Sequence, residues 1–359
     1  MCPIISSVVD LEADPVEGNG TLSRLLDKPV ISIERTRGGR NSRVYVACCL
    51  GSERYAVKQY SPPVHGRRDR LSAEFQGLEF LWRNSERAIP EPLAVDYDLR
   101  LAVFEYIEGG VIPASSVDSN DIDQAISFLV RLKALSRSAN AYDLPDASEA
   151  CFSVLSILHN LGARIDRLNR LDQPGKSYDS LRSFLSGPVQ SAMAEAERVI
   201  AEPQDQLGAA VHLELERGHR TLSPSDFGFH NALRKSDGSL VFIDFEHFGW
   251  DDPAKTISDF LLHPAMDLTC ELRSRFLGQM IADFYEDPHL PARVRMVYPL
   301  FALKWTLILL NEFIPDDLHR REFAGELSQD RDKIRSIQLS KAIGMLKRAD
   351  WNHGDNPFG

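Results

Sequence analysis

Between positions 224 and 246 the chain arranges three oxygen-bearing side chains around one short hairpin, and this feature restricts the fold more than any other. Pro224-Ser225-Asp226-Phe227-Gly228-Phe229-His230-Asn231 sets an aspartate five positions before an asparagine. Thirteen residues past Asn231, Asp244 ends the apolar run Leu240-Val241-Phe242-Ile243, which reads as a strand returning to the same place. Asp237-Gly238 supplies turn chemistry in between. Loop, strand, turn, strand and loop therefore converge at one end of a hairpin. Asp226 suits a base facing an acceptor hydroxyl, and Asn231 and Asp244 suit the one or two protein ligands that triphosphate-bound Mg²⁺ accepts.

These motifs resemble those of the aminoglycoside phosphotransferase and choline kinase superfamily, distant relatives of the protein kinases. There a loop of form H-x-D-x-x-x-x-N precedes a strand ending in I-D-F or I-D-W. Pro224 stands where the family usually has histidine, a residue that packs behind the loop, so the departure bears on loop geometry more than on chemistry. Phe245-Glu246 is closer to the choline kinase pattern, and Glu246 is a candidate for supporting the site or meeting substrate. The resemblance implies an α+β, two-lobed protein-kinase-like fold: residues 1–110 form a nucleotide-binding lobe, a small antiparallel sheet with one helix, and residues 111–359 a larger, mostly helical lobe. It also implies ATP and Mg²⁺ as cofactors and a small-molecule hydroxyl as phosphate acceptor.

The parts of a nucleotide-binding lobe follow in the order the resemblance requires. Arg37-Gly38-Gly39-Arg40-Asn41-Ser42-Arg43-Val44-Tyr45 matches the family's G-G-x-x-N-x-x-Y hairpin, whose backbone N–H groups approach phosphates, and assigns Gly38, Gly39, Asn41 and Ser42 to the nucleotide. A Gly-Gly pair alone would be an ordinary turn. Tyr55-Ala56-Val57-Lys58-Gln59-Tyr60 reads as a strand carrying Lys58, the lysine that kinases pair with the α- and β-phosphates. Leu71, Phe75, Leu78, Leu81 and Trp82 mark one face of a helix, with Glu74 beside it as partner for Lys58 and Glu79 as the fallback. Leu101 to Gly110 is a strand running into a Gly pair; residues 104–110 resemble the inter-lobe hinge, where the backbone of Glu105 and Ile107 would meet adenine.

Beyond the hinge, Ile122 to Leu135, Leu155 to Leu171 and residues 180–200 read as helices. In relatives an aspartate near position 259 bonds the catalytic-loop backbone, which makes Asp259 a supporting residue, with a helix-surface carboxylate as the alternative. Trp305, beside Lys304, could reach the acceptor pocket through its cation-binding indole face, although a core role suits a tryptophan better. His159, His212 and His219 have no partner spacing and read as packing or surface residues.

Bulk properties agree with a globular enzyme. The 359 residues are 43% hydrophobic and 26% charged. The net charge of −11 lies mostly beyond residue 110, which argues against nucleic acid as a partner and would attract a cationic acceptor, although solubility explains it as well. Residues 1 to about 20 lack periodicity and no secretory signal or transit peptide is evident, so a cytoplasmic location is expected. The apolar stretch Val294 to Phe313 is interrupted by Arg295, Pro299, Lys304 and Asn311, so it reads as a buried helix and no membrane partner is expected. Five cysteines show neither metal nor disulfide spacing and read as reduced core thiols. The rival reading is a catalytically silent nucleotide-binding protein. A protein acceptor is disfavoured because Asp251-Asp252-Pro253 follows Asp244 too closely for a peptide-docking segment.

Overall fold

The computed structural model describes residues 11, 15–36, 42–62, 68–201, 213–315 and 330–350. Five antiparallel strands form the first layer: β1 (Val30–Arg35), β2 (Ser42–Cys49), β3 (Arg54–Tyr60), β4 (Pro92–Asp96) and β5 (Leu101–Glu105), in the spatial order β1-β2-β3-β5-β4. Side chains alternate across this sheet, which separates two cores. Tyr45, Ala47, Cys49, Val57, Leu101 and Val103 turn to one face and join Leu22 of helix α1 (Pro15–Leu26). Tyr60, Ala102 and Phe104 turn to the other and join Leu71, Phe75, Leu78 and Leu81 of helix α2 (Arg70–Arg83). Lys58 sits between Val57 and Gln59 in central strand β3, opposite Ala102, so its side chain emerges on the α2 face.

Helix α2 starts where Asp69 accepts the Leu71 N–H at 3.3 Å and the Ser72 hydroxyl at 2.7 Å. The single helix expected beside the sheet is joined by α1, which overlaps the stretch expected to lack structure. Its two glycines dilute the apolar pattern, and packing on β1 sustains it.

After β5 the chain leaves this sheet. Strand β6 (Gly110–Val111) joins β8 (Ala232–Arg234) and β9 (Leu240–Phe242), while β7 (Thr221–Ser223) pairs with β10 (Gly249–Asp251). The remainder is helical: α3 (Ser119–Leu135), α4 (Val154–Asn169), α5 (Lys176–Phe184), α6 (Gln190–Ala201), α7 (Pro253–Leu262), α8 (Cys270–Asp283), α9 (Leu290–Leu309) and α10 (Arg331–Leu346). A π-turn at Leu185–Val189 joins α5 to α6. In α4 the buried face is Val154, Ile157, Leu161, Ile165 and Leu168, and Leu155 is exposed, so the expected stripe is displaced at its start.

Helix α7 is the axis of this part. All ten of its residues are buried, Pro253 fits its first turn, and Asp252 caps it through the Ala254 N–H at 2.8 Å. It packs on α9, which is long and apolar enough to cross a membrane by length and composition but has 72% of its most apolar window buried inside the protein. Phe260 of α7 stacks on Phe276 at 3.9 Å and lies 5.7 Å from both Phe227 and Phe229, which ties α7 to the 224–231 loop. Among the described residues Cys49 and Cys151 are buried free thiols, Cys48 is half-buried, and Cys270 is exposed rather than a core thiol.

Candidate active site

The hairpin β8–β9 links the 224–231 loop to Asp244. Ile243 donates its N–H to the Asn231 carbonyl at 2.9 Å, which sets Asp244 beside Asn231. The Asn231 side-chain amide donates to the Asp226 carbonyl at 2.9 Å. Only the NH₂ end can make that bond, so Oδ1 is left to accept or to ligate. Two residues here hold the left-handed backbone region, Ser225 at φ 68° and Asp244 at φ 67°. For non-glycine residues this conformation is held by surrounding contacts and concentrates at functional sites.

Those contacts explain how the loop closes without the family histidine. The Pro224 carbonyl accepts the Asp226 N–H at 2.9 Å, and Ser223 Oγ accepts the Ser225 N–H at 3.0 Å. From below, the Lys255 ammonium donates to Ser225 Oγ at 3.0 Å while paired with Asp251 at 2.7 Å and Asp259 at 3.0 Å. Asp259 thus reaches the loop through Lys255 instead of bonding its backbone, because the buried lysine takes the intervening place. Its other oxygen accepts the Trp305 indole N–H at 2.9 Å.

Facing the hairpin from the sheet, the Lys58 ammonium bonds Glu74 and Asp244, each at 2.6 Å, and lies 3.9 Å from Glu246. Burial works against its charge, but Asp244, Glu74 and Glu246 outweigh that and raise its pKa above the ordinary lysine range. Glu74 is fully engaged, accepting the Tyr60 hydroxyl at 2.7 Å and the Phe245 N–H at 3.2 Å as well. Glu79 points away and pairs with Arg83 at 2.6 Å. Glu246, only 2% exposed, lies beneath Lys58 with Arg70 and His247 each at 3.4 Å, so it supports the lysine and does not face an acceptor. Asp244 is the open member of this group, its side chain 38% exposed.

Lys58 and Arg70 bring two positive charges against the three of Glu74, Asp244 and Glu246, and the surplus negative charge sits at the open end. With Asp244 Oδ1 on Lys58, its second oxygen and Asn231 Oδ1 offer hard oxygen donors of the kind Mg²⁺ takes. The donor set fits that ion.

Asp226 stands apart from this cluster with a different set of neighbours. His230 Nε2 is 3.3 Å and His263 Nε2 3.5 Å from the same carboxylate oxygen, and the two rings stack in parallel at 3.8 Å. The Trp305 ring meets His263 edge-on at 4.6 Å. Burial opposes ionisation of Asp226, but the His230 hydrogen bond and the imidazoles of His230, His263 and His247 outweigh it and hold the carboxyl well below the usual carboxylate range. Asp226 is therefore ionised at neutral pH. Lys304 turns to Glu149 at 3.1 Å and takes no part.

Of the remaining expected residues, Gly38, Gly39 and Asn41 lie outside the described residues, and Ser42 is buried at the start of β2, opposite Tyr60. At the expected hinge the Glu105 N–H is already given to the Glu91 carbonyl at 2.8 Å. The sequence reading did not single out His230, His263, His247, Tyr60, Arg70 or Lys255. For Lys255 a signal existed: it stands four residues from both Asp251 and Asp259, the spacing at which helical charges meet.

The fold recurs in known kinases of small molecules. An ethanolamine kinase from Plasmodium vivax is 12% identical with a TM-score of 0.61, covering 94% of this chain and 90% of its own. A choline kinase from Streptococcus pneumoniae is 17% identical with a TM-score of 0.58, covering 93% and 99%. A spectinomycin phosphotransferase, solved with ADP and spectinomycin, is 11% identical with a TM-score of 0.57, covering 90% and 98%. No curated protein sequence matches the chain significantly. At these identities the structures establish the fold alone, but the model of the phosphotransferase enzyme family matches residues 32–295. The hairpin, the sheet lysine and that match together place the chain in the phosphotransferase enzyme family.

Proposed function

We propose that this phosphotransferase moves the γ-phosphoryl group of ATP to a hydroxyl of a small molecule. The observation that carries the reading is the Lys58 ammonium, buried between Glu74 and Asp244 at 2.6 Å each, with ionised Asp226 on the neighbouring loop. Lys58, oriented by Glu74, binds the α- and β-phosphates, to which Gly38, Gly39, Asn41 and Ser42 are also assigned from their motif. The Ile107 N–H meets adenine where the chain passes from β5 to β6, which sets the lobe boundary near residue 110. Asn231 and Asp244 would hold Mg²⁺, which when bound offsets charge on the phosphate oxygens.

Asp226 orients the acceptor hydroxyl by accepting its hydrogen bond. A carboxylate with so low a pKa is a weak base, so it takes the proton late, once the hydroxyl oxygen is bonding to phosphorus. His230 and His263 fix its carboxylate, and Lys255 and Asp259 fix the loop beneath it. Trp305 borders the same region through His263, on the side where the acceptor would enter.

The acceptors named for structural neighbours, choline, ethanolamine and spectinomycin, all carry hydroxyl groups, which supports a choline-like alcohol, sugar, amino sugar or aminoglycoside here. The silent-protein reading has less support, since Lys58, Asp226, Asn231 and Asp244 are all retained, with Lys58 bonded to Asp244 and the Asn231 side chain bonded to the Asp226 carbonyl. ADP release that requires an acceptor, followed by a coupled assay in wild type and Asp226→Asn, tests the proposal; acceptor-dependent turnover surviving in the variant would overturn the role of Asp226.

A further inference from the structure

The Lys58–Glu74 pair is only as well placed as helix α2, and α2 rests on the turn that follows Asp244. Three contacts join them. Phe245 donates its N–H to Glu74 Oε1 at 3.2 Å, and Arg68, just before the helix, donates to the carbonyls of Phe248 and Asp146. The third contact is steric. A β-carbon built on Gly77 would lie 2.6 Å from Phe248 Cδ1, 3.1 Å from Cγ and 3.3 Å from Cβ. Phe248 cannot swing clear easily: it is 1% exposed, its ring packs 5.9 Å from Phe245, and its N–H is given to the Phe245 carbonyl at 2.9 Å.

We propose that Gly77 and Phe248 are positioning residues: their close contact sets the depth at which α2 seats on the Asp244–Phe248 turn, and hence where Glu74 meets Lys58. Gly77 is one helical turn from Glu74, so a displacement forced at 77 is delivered to the carboxylate almost undiminished. A helix interior otherwise disfavours glycine relative to alanine, and the ring explains its presence here. A small cleft of about 180 Å³, lined by Ser72, Gln76, Leu144 and Pro145, lies beside the contact, so packing there is incomplete. This inference rests on the reading of Lys58 as the nucleotide lysine, and its test separates the two.

The test uses Gly77→Ala, Phe248→Leu, the double variant and Lys58→Met. Amide hydrogen exchange at Phe245 reports whether Glu74 is seated, with no nucleotide present. The expected result is exchange about tenfold faster in Gly77→Ala and MgATP affinity about tenfold weaker, with both recovering in the double variant because the smaller side chain readmits α2. Unchanged Phe245 exchange in Gly77→Ala would overturn the proposal, as would a loss that Phe248→Leu does not relieve. If exchange responds and recovers while neither Gly77→Ala nor Lys58→Met changes nucleotide affinity, the seating contact stands and the nucleotide role of Lys58 fails.

Discussion

Replacing Glu74 with glutamine removes one charge and almost no volume, so its effect can be worked from the hydrogen bonds. Glu74 is 3% exposed and accepts three donors: Lys58 at 2.6 Å and Tyr60 at 2.7 Å on one oxygen, Phe245 N–H at 3.2 Å on the other. Glutamine has one acceptor oxygen and one NH₂ group. In one orientation the NH₂ opposes the ammonium and the tyrosine hydroxyl; in the other it opposes the Phe245 N–H. Either way a charge-assisted bond is lost or a buried donor is stranded, at a cost of about 1.5–3 kcal/mol. The cost stays below the roughly 3–5 kcal/mol of a fully broken buried pair, because Lys58 keeps Asp244 at 2.6 Å and Glu246 at 3.9 Å. At about 1.4 kcal/mol per decade this is a 10- to 150-fold weakening of MgATP binding, since Lys58 is left leaning on Asp244 instead of reaching the phosphates. Calorimetric titration with MgATP alongside thermal unfolding reads both quantities. A variant with reduced stability but wild-type affinity would refute the link between Glu74 and the nucleotide.

Further outcomes follow from the same geometry. Asp226→Asn should lower turnover by about 10²- to 10⁴-fold with MgATP affinity nearly intact, measured by steady-state kinetics and titration; collapse of nucleotide binding would show the role misassigned. Asp244→Ala should abolish the Mg²⁺ dependence of nucleotide binding, and normal MgATP affinity in that variant would remove Asp244 from the metal site. His247 has its pKa raised because the Glu246 hydrogen bond and charge outweigh burial. A raised imidazole pKa contributes stability fully below about pH 6.5 and loses it as pH rises through the folded value. The Tm difference between wild type and His247→Gln should therefore shrink from about pH 6 to pH 9, and a pH-independent difference would count against the ion pair. Phe260→Ala, which removes a fully buried ring stacked on Phe276 at 3.9 Å, should cost about 3–5 kcal/mol by denaturant unfolding.

What was legible in the sequence was what spacing along one element encodes. The alternation around Lys58 and the apolar face of Leu71, Phe75, Leu78 and Leu81 placed lysine and glutamate on facing sides of β3 and α2, and they meet. The hairpin between Asn231 and Asp244 closed because strand, turn and strand are contiguous. The surroundings of Asp226 were legible only for His230, four residues on in the same loop; His263, from the end of α7, and Trp305, from α9, reach it through tertiary packing that no periodicity encodes. The same holds for α1, whose local pattern is weak and whose stability comes from the sheet it covers. For Glu246 the motif left two roles open, supporting the site or meeting substrate, and only the packed structure, where Asp244 is left-handed and Glu246 lies buried beneath Lys58, favours the first.

Phosphoryl transfer that depends on Asp226 is read by ³¹P NMR of MgATP incubated with the protein and pooled hydroxyl acceptors. The account predicts a new phosphomonoester signal that is absent with Asp226→Asn, and splitting the pool then names the acceptor. Unchanged ATP across acceptors of every class, or a signal that persists in the variant, would contradict it.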